Sequence, residues 1–207
     1  MKRLSTDAEY LDSGKIVLDA DGIPFEPAPK AYVDQRVPID SFTGTGSPEG
    51  SITAPVGSVY TDSAATNGAV RWVKTSGAGN TGWKVEYGDT GWRLIPNRNT
   101  EQAGQIYIRR VVDTCFIRVS KYADPGNYAK HMASIPIGFR SEGEFYGLIV
   151  DSGASSINSI IGSYAVGTLS WSRNVNGGFV RPENPQSGEM AYSTSNPWPT
   201  TLPGTPA

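Results

Sequence analysis

Glycine and proline interrupt this chain so often that no long regular element fits between them. The sequence holds 24 Gly and 15 Pro among 207 residues. Proline removes a backbone donor and breaks helix interiors, and glycine raises the entropic cost of ordering a helix or strand. Short strands joined by turns tolerate both residues. The sequence therefore predicts a mostly β fold.

Short runs that alternate apolar and polar residues supply the predicted strands. GSVYT and AVRWVK flank a loop that ends in Asn67-Gly68, which predicts a hairpin, and WKVEY follows. A long loop with a helical turn at 128–132 is expected between the second and third strands of the next group. That group has the spacing of an antiparallel, jelly-roll-like sandwich and comprises QIYIRRV, TCFIRVS, EFYGLIV, INSIIGSYAV, GTLSWSRN, GFVR and EMAYST.

The turn-forming residues divide the chain into three predicted regions. Residues 1–40 are irregular, with a short helical turn at 31–37, and hold too few apolar residues to fold alone. Residues 41–99 are predicted to form a small β module. Its core is too small to make a monomer stable, which favours oligomerisation. Residues 100–207 form the sandwich and end in a tail with four prolines, SNPWPTTLPGTPA.

Charge and composition exclude several classes of function. The formal net charge is −2 and no Lys/Arg cluster is longer than Arg109-Arg110, so nucleic-acid binding is not expected. The first residues lack the apolar run of a secretory signal, and no stretch is long enough to insert into a membrane as a helix. Cys115 is the single cysteine and is predicted to be a small buried hydrophobe.

Residues 148–156, LIVDSGASS, raise the question of an aspartic-protease active site at Asp151. Such a site needs two aspartates that share a proton, and a single lobe also needs a flap and a later apolar-apolar-Gly strand. The triplet Ile-Ile-Gly at 160–162 follows Asp151 by too few residues to leave room for a flap. Because Asp-Ser-Gly is also a good turn sequence, a turn between two strands is predicted.

Other catalytic and metal-binding patterns are equally weak. His131 is the only histidine, and it is predicted to be an exposed or partly packed ring rather than part of a triad. One His and one Cys cannot form a His/Cys metal site, and the sequence at 19–22 lacks the spaced acids of a calcium loop. Glu142 and Glu144 lie near Asp151, but the sequence alone shows no opposed pair. No enzyme activity, cofactor or metal is predicted.

The tryptophans and tyrosines are more informative. Trp72, Trp83 and Trp92 are predicted to fall in short alternating strands. Each is expected to anchor a small hydrophobic core, with a subunit junction as one place for it. Trp198 lies between two prolines, which predicts a plug that pins the tail. Trp171 is expected in the core or in a clamp, with a sugar-facing role as the alternative.

Residues 47–83, SPEGSITAPVGSVYTDSAATNGAVRWVKTSGAGNTGW, carry a resemblance to a known family. Pro48-Glu49-Gly50, the Ala-Pro-x-Gly-Ser-x-Tyr stretch at 54–60, Trp72-Val73-Lys74 and Gly77 to Trp83 resemble a module of bacteriophage tail-fibre, minor tail and head-fibre (spike) proteins. PKAYVDQRV is similar to the start of fibre shafts. IPIGFR and NPWPTTLPG are similar to parts of fibre tips in phages of actinobacteria.

The resemblance implies a homotrimer located in the virion, on the tail or the capsid. Residues 1–40 would attach to other virion proteins, the small module would trimerise, and the C-terminal sandwich would form the tip. The absence of a coiled coil or repetitive shaft departs from longer fibres and implies a short spike. Candidate contacts with a host-surface glycan surround the loop SWSRNVNGG and are Tyr164, Trp171, Arg173 and Asn174.

Three hypotheses of function follow. The leading one is a non-enzymatic trimeric spike whose C-terminal region binds the host surface. The second is a purely architectural capsid fibre, decoration or tail-tip protein without receptor binding. The third is an enzyme that acts on cell-wall polymer, which a turnover assay on host cell walls would detect.

Overall fold

The computed structural model describes residues 17–18, 24–25, 40–98, 102–123, 131–151, 157–164, 167–171 and 185–207. Every regular element in these residues is a β-strand, so the predicted mostly β, sandwich-like fold is confirmed. No helix in the described part of the chain is long and apolar enough to cross a membrane. The chain divides into two compact units, Met1–Ile39 and Asp40–Ala207.

The first unit contains one short antiparallel ladder. Strand β1 (Val17–Leu18) pairs with β2 (Pro24–Phe25). The five residues between the two strands in the sequence, DADGI, contain the Asp and Gly that favour a turn. The helical turn predicted at 31–37 lies outside the described residues.

The second unit begins with a four-stranded sheet. Its strands are β3 (Ser41–Gly44), β4 (Val59–Asp62), β5 (Ala69–Lys74) and β6 (Trp83–Gly88), adjacent in that order. The predicted hairpin is confirmed, because β4 and β5 are antiparallel, as are β5 and β6. Strand β3 was not predicted, and it pairs in parallel with β4.

The small core of this sheet is built on aromatic rings. Its buried members are Ala54, Tyr60, Ala69, Trp72, Trp83 and Trp198. Trp72 and Trp83 thus anchor the core as predicted. Trp198 comes from the far end of the chain and is 7% exposed, so the prediction that it pins the tail is also confirmed.

The remaining strands form one nine-stranded antiparallel sheet. In spatial order they run β10, β13, β12, β11, β14, β9, β8, β7, β15. Their bounds are β7 Arg93–Ile95, β8 Ala103–Val111, β9 Thr114–Ala123, β10 His131–Ser134, β11 Phe145–Asp151, β12 Ile157–Tyr164, β13 Thr168–Trp171, β14 Gln186–Ser193 and β15 Thr205–Pro206.

This sheet curls until its ends approach each other. The backbone N–H of Arg98, after β7, donates to the carbonyl of Met132 in β10 over 2.9 Å. Inward-facing residues alternate with outward-facing ones along much of β8 and β9, and the inward-facing side chains of the sheet form a mainly aliphatic core. Its buried members are Ile95, Ile106, Ile108, Cys115, Ile117, Val119, Tyr122, Met132, Ala133, Ile135, Phe139, Ile149, Leu169, Met190 and Tyr192.

Two glycines allow β11 and β14 to pack large side chains between them. A β-carbon on Gly147 would lie 2.4 Å from Sδ of Met190, and one on Gly188 would lie 2.7 Å from Cγ2 of Ile149. Each large side chain therefore occupies the space above a glycine of the neighbouring strand. The two strands depend on this complementarity for their close packing.

The structure corrects one local prediction and leaves another open. His131 and Met132 belong to strand β10 and not to a helical turn, because β10 pairs with β13 on both sides of Met132, through His131 and Ala133. The predicted strand GFVR lies outside the described residues. Cys115 is fully buried, which confirms its predicted place in the core.

Candidate binding surface

The four predicted host contacts fall at and beyond the ends of a hairpin. Tyr164 closes β12 and pairs with Thr168, whereas Trp171 closes β13 and pairs with Ile161. The two are therefore three positions apart along the ladder, about 10 Å at the usual strand rise. Arg173 and Asn174 lie outside the described residues. The grouping of these four residues stays a prediction.

Asp151 closes strand β11 at a hairpin end. Strands β11 and β12 pair in antiparallel fashion up to Val150 and Ile157, and residues 152–156 between the two strands lie outside the described residues. Asp151 also pairs with Gln186 of β14. Asp151 is therefore the last residue of a strand, and the turn expected after it stays a prediction.

The outer face of β11 carries a row of exposed apolar side chains, which we call the β11 row. Tyr146 is 63% exposed, Leu148 51% and Val150 45%, whereas Ile149 between them is fully buried. A soluble monomer seldom leaves several large apolar residues together in water. The row was contained in the predicted strand EFYGLIV, but its exposure was not foreseen.

A signal for this row was present in the sequence. A strand with one face in water alternates apolar and polar residues, whereas a strand covered on both faces is continuously apolar. Residues 145–150, FYGLIV, contain no polar break other than the tyrosine hydroxyl. The composition is that of a strand covered on both faces, and within the described residues the large core covers one.

The outer face extends from β11 across four further strands. Val150 stands opposite Ser187 of β14; two positions along β14, Glu189 stands opposite Arg118. Arg118 in turn stands opposite Tyr107, and Tyr107 opposite Leu94. The register therefore places apolar, aromatic and charged residues side by side on one surface.

The charges on this face are already paired. Nε of Arg118 lies 2.9 Å from Oε2 of Glu189, and its guanidinium stacks 4.1 Å from the centre of the Trp92 ring. The Trp92 ring meets Phe116 edge-on at 6.5 Å. Trp92 thus packs on the outside of the large sheet and not in the small core.

A second ion pair borders the same face. Arg109 donates from Nε to Oδ1 of Asp89 over 2.9 Å and from Nη2 to Oδ2 over 2.5 Å. The hydrogen bond from Arg109 lowers the pKa of Asp89. Because both arginines are engaged with carboxylates, the face offers no unpaired charge at these positions and favours a neutral, partly apolar partner.

His131 forms the described contact that most resembles a catalytic pair. Its Nδ1 lies 2.8 Å from Oγ of Ser170, which is its direct partner in the β10–β13 ladder. Ser170 is only 5% exposed. In a serine triad the other ring nitrogen faces the serine and Nδ1 donates to a carboxylate. The contact is better explained as a cross-strand tether.

The remaining reactive groups are engaged in packing. Burial raises the pKa of the Cys115 thiol to about 12, which suppresses the nucleophilic thiolate. Glu144 accepts a hydrogen bond from the Tyr146 hydroxyl over 2.5 Å, and Glu142 accepts one from Ser195. The described residues contain no group of three His, Cys, Asp or Glu that would hold a metal ion.

Hydrogen bonds connect the residues on which the resemblance to phage fibres is based. The Glu49 carboxylate accepts the backbone N–H groups of Gly82 (3.1 Å) and Trp83 (2.8 Å). The Trp83 indole donates to the carbonyl of Ile52 over 2.9 Å, and the Asn80 amide donates to that of Gly50 over 2.7 Å. The Pro-Glu-Gly and Gly-x-Gly-Asn-Thr-Gly-Trp motifs thus form the two halves of one hydrogen-bonded unit.

No protein-family model, curated protein or solved structure matches this chain.

Proposed function

We propose that this chain is a non-enzymatic structural protein of a bacteriophage particle. It acts as a short trimeric fibre or spike whose C-terminal sheet contacts the host surface. The observation that carries the proposal is the β11 row. The amino-acid composition of β11 is typical of a strand that is buried on both faces, yet one of its faces is exposed in the single chain. In the proposed trimer, a neighbouring copy covers that face.

The hydrogen-bonded motifs support the phage assignment. A resemblance between two sequences is more informative when the matching residues meet in space than when they are scattered. Glu49, Asn80 and Trp83 all contribute to the same loop closure. The resemblance is therefore to a folding module.

Host contact is assigned to the region around the β12–β13 hairpin, with Tyr164 and Trp171 as the described candidates. Three weak sites on one trimer gain affinity by avidity, so no deep pocket is required. The unit Met1–Ile39 is assigned to attachment to other virion proteins.

Sedimentation equilibrium of the full chain tests the assembly. We expect a mass three times that of the 22.1 kDa chain. Leu148→Lys should shift the mass toward the monomer, because it would bury a charge in the interface. Val56→Lys is the matched control, since Val56 is 57% exposed but lies outside the β11 row. A monomeric wild type, or equal effects of both variants, would contradict the assigned interface.

Host binding is a separate test. The labelled full-length protein should bind host cells, and Trp171→Ala should weaken this binding while leaving the sedimentation mass unchanged. A trimer that incorporates into particles but does not bind cells would instead support the architectural role.

A further inference from the structure

The C-terminal segment after β14, residues 194–207, crosses from the large sheet to the small module and back. It begins on the large sheet, where the N–H of Thr194 donates to the carbonyl of Asp113 over 2.9 Å. Trp198 then enters the small core beside Tyr60, Trp72 and Trp83. The segment returns to the large sheet, where β15 pairs with β7.

The seat of Trp198 is built by reciprocal hydrogen bonds. Its indole N–H donates to the carbonyl of Asn67 over 3.0 Å, although the two residues are 131 positions apart. The Asn67 side-chain amide donates in return to the carbonyl of Pro199 over 3.0 Å. A β-carbon on Gly88 would lie 3.0 Å from Cη2 of Trp198, so a glycine there leaves room for the ring.

Arg110 binds the same segment from the side of the large sheet. Its side chain is 4% exposed, and its guanidinium donates to the carbonyls of Pro197 and Asn196, each over 3.0 Å. It also lies 5.0 Å from the centre of the Trp198 ring. Its other carbonyl partners are Val112 at 2.7 Å and Gly138 at 2.5 Å. The segment therefore supplies two of the four carbonyl acceptors that compensate for the burial of this cation.

We propose that residues 194–207 are a strap that couples the two cores into one cooperative unit. Trp198 completes the small core, and Arg110 holds the strap against the large sheet. Because Trp198 fills a core formed by strands β4, β5 and β6, the small module reaches its native packing only in chains that extend through Trp198. Chains that end earlier leave this core open.

The full-length Trp198→Ala variant tests the coupling. Thermal unfolding is followed by amide exchange at increasing temperature, in β5 for the small module and in β9 for the large sheet. In the wild type, β5 and β9 should open together. In the variant, the small module should melt roughly 10 °C lower, the shift expected for a buried Trp→Ala change in a chain of this size, while β9 keeps its transition.

Trp92→Ala is the matched control. Trp92 packs on the outer face of the large sheet against Phe116 and not in the strap, so both transitions should move together. Coincident transitions in Trp198→Ala would overturn the proposal, whatever their midpoint.

A measurement on the wild type covers the case in which Trp198→Ala does not fold. Native-state hydrogen exchange reports the free energy with which each strand opens. If the strap couples the cores, the slowest amides of β5 and β9 exchange with the same protection, within about tenfold. A protection factor in β5 more than a hundredfold below that in β9 would refute the coupling.

Discussion

The four-stranded module and the nine-stranded sheet are stabilised in different ways. The small core relies on a few large aromatic rings, two of which are fixed by a hydrogen bond: the indole of Trp83 donates to the carbonyl of Ile52, and that of Trp198 donates to the carbonyl of Asn67. The large core is filled mainly by aliphatic side chains that make no hydrogen bonds. Aliphatic residues of similar volume can replace one another, whereas a hydrogen-bonded indole cannot be replaced so easily. The module can therefore be recognised in a sequence by particular residues, whereas the large sheet is indicated only by a general pattern of apolar residues.

The largest effect is expected from Trp83→Ala. The ring meets Phe42 at 6.4 Å and Tyr60 at 6.3 Å, and its removal also leaves the Ile52 carbonyl without a partner. We expect a loss of about 3–5 kcal/mol in the free energy of unfolding. Ile117→Val in the large core should cost only about 0.5–1.5 kcal/mol. Urea unfolding measures the loss in free energy for both variants. Similar losses would contradict the proposed difference in how the two cores are stabilised.

The next effect belongs to the large sheet. Gly147→Ala would place a β-carbon 2.4 Å from Sδ of Met190, so we expect a cost of about 1–3 kcal/mol from overpacking. Met190→Ala alone should also destabilise by leaving a cavity. The double variant should cost less than the sum of the two, because the alanine at 147 then has room. Strict additivity in this cycle would show that the close approach is not what selects glycine.

Glu49→Gln tests the contribution of side-chain hydrogen bonds to the stability of the small module. The carboxylate accepts two backbone N–H groups, from Gly82 and Trp83, whereas an amide offers one oxygen and turns an N–H group toward the other donor. We expect a loss of about 1–3 kcal/mol, measured by guanidinium unfolding. Glu142→Gln is a suitable control because its described contact is with a single hydroxyl, that of Ser195. An equal loss in both variants would argue against the role given to Glu49.

Much of the strand content was predictable because it rests on local alternation. The runs QIYIRRV and TCFIRVS contain most of β8 and β9. In each run, the alternate positions that the sequence predicts to be buried are the positions that the structure buries. The strands that escaped prediction are short or pair with distant partners. Strand β10 reads HMAS, a sequence without β-branched residues, and its conformation is set by β13.

The site was less predictable than the fold. Tyr164 and Trp171 were chosen for residue type, and sequence could not show that they lie on neighbouring strands of one hairpin. The β11 row is a property of one face, and it becomes visible only when Ile149 is known to point inward. The continuous apolar composition of FYGLIV was its sole advance indication. Arg110 likewise looked like one half of a small basic pair, since its carbonyl partners lie far along the chain.

The smallest effect concerns the ion pair where the module meets the sheet. The hydrogen bond from Arg109 lowers the pKa of Asp89, so the pair stabilises the fold above the unfolded-state pKa of this carboxyl. That stability is lost as the pH falls through the lower, folded-state pKa. The side chains of Arg109 and Asp89 are 36% and 42% exposed, and solvent screening limits the contribution to less than about 1 kcal/mol.

Asp89→Asn should therefore lower the free energy of unfolding slightly at neutral pH. The difference from the wild type should vanish in acid, where Asp89 is protonated in both states. Urea unfolding at a series of pH values measures this difference. Glu86→Gln, which breaks the exposed ion pair with Arg71 inside the module, provides the comparison. A loss at Asp89 that persists unchanged in acid would mean that the side chain acts through its neutral hydrogen bonds, such as the one from the N–H of Gly91, and not through its charge.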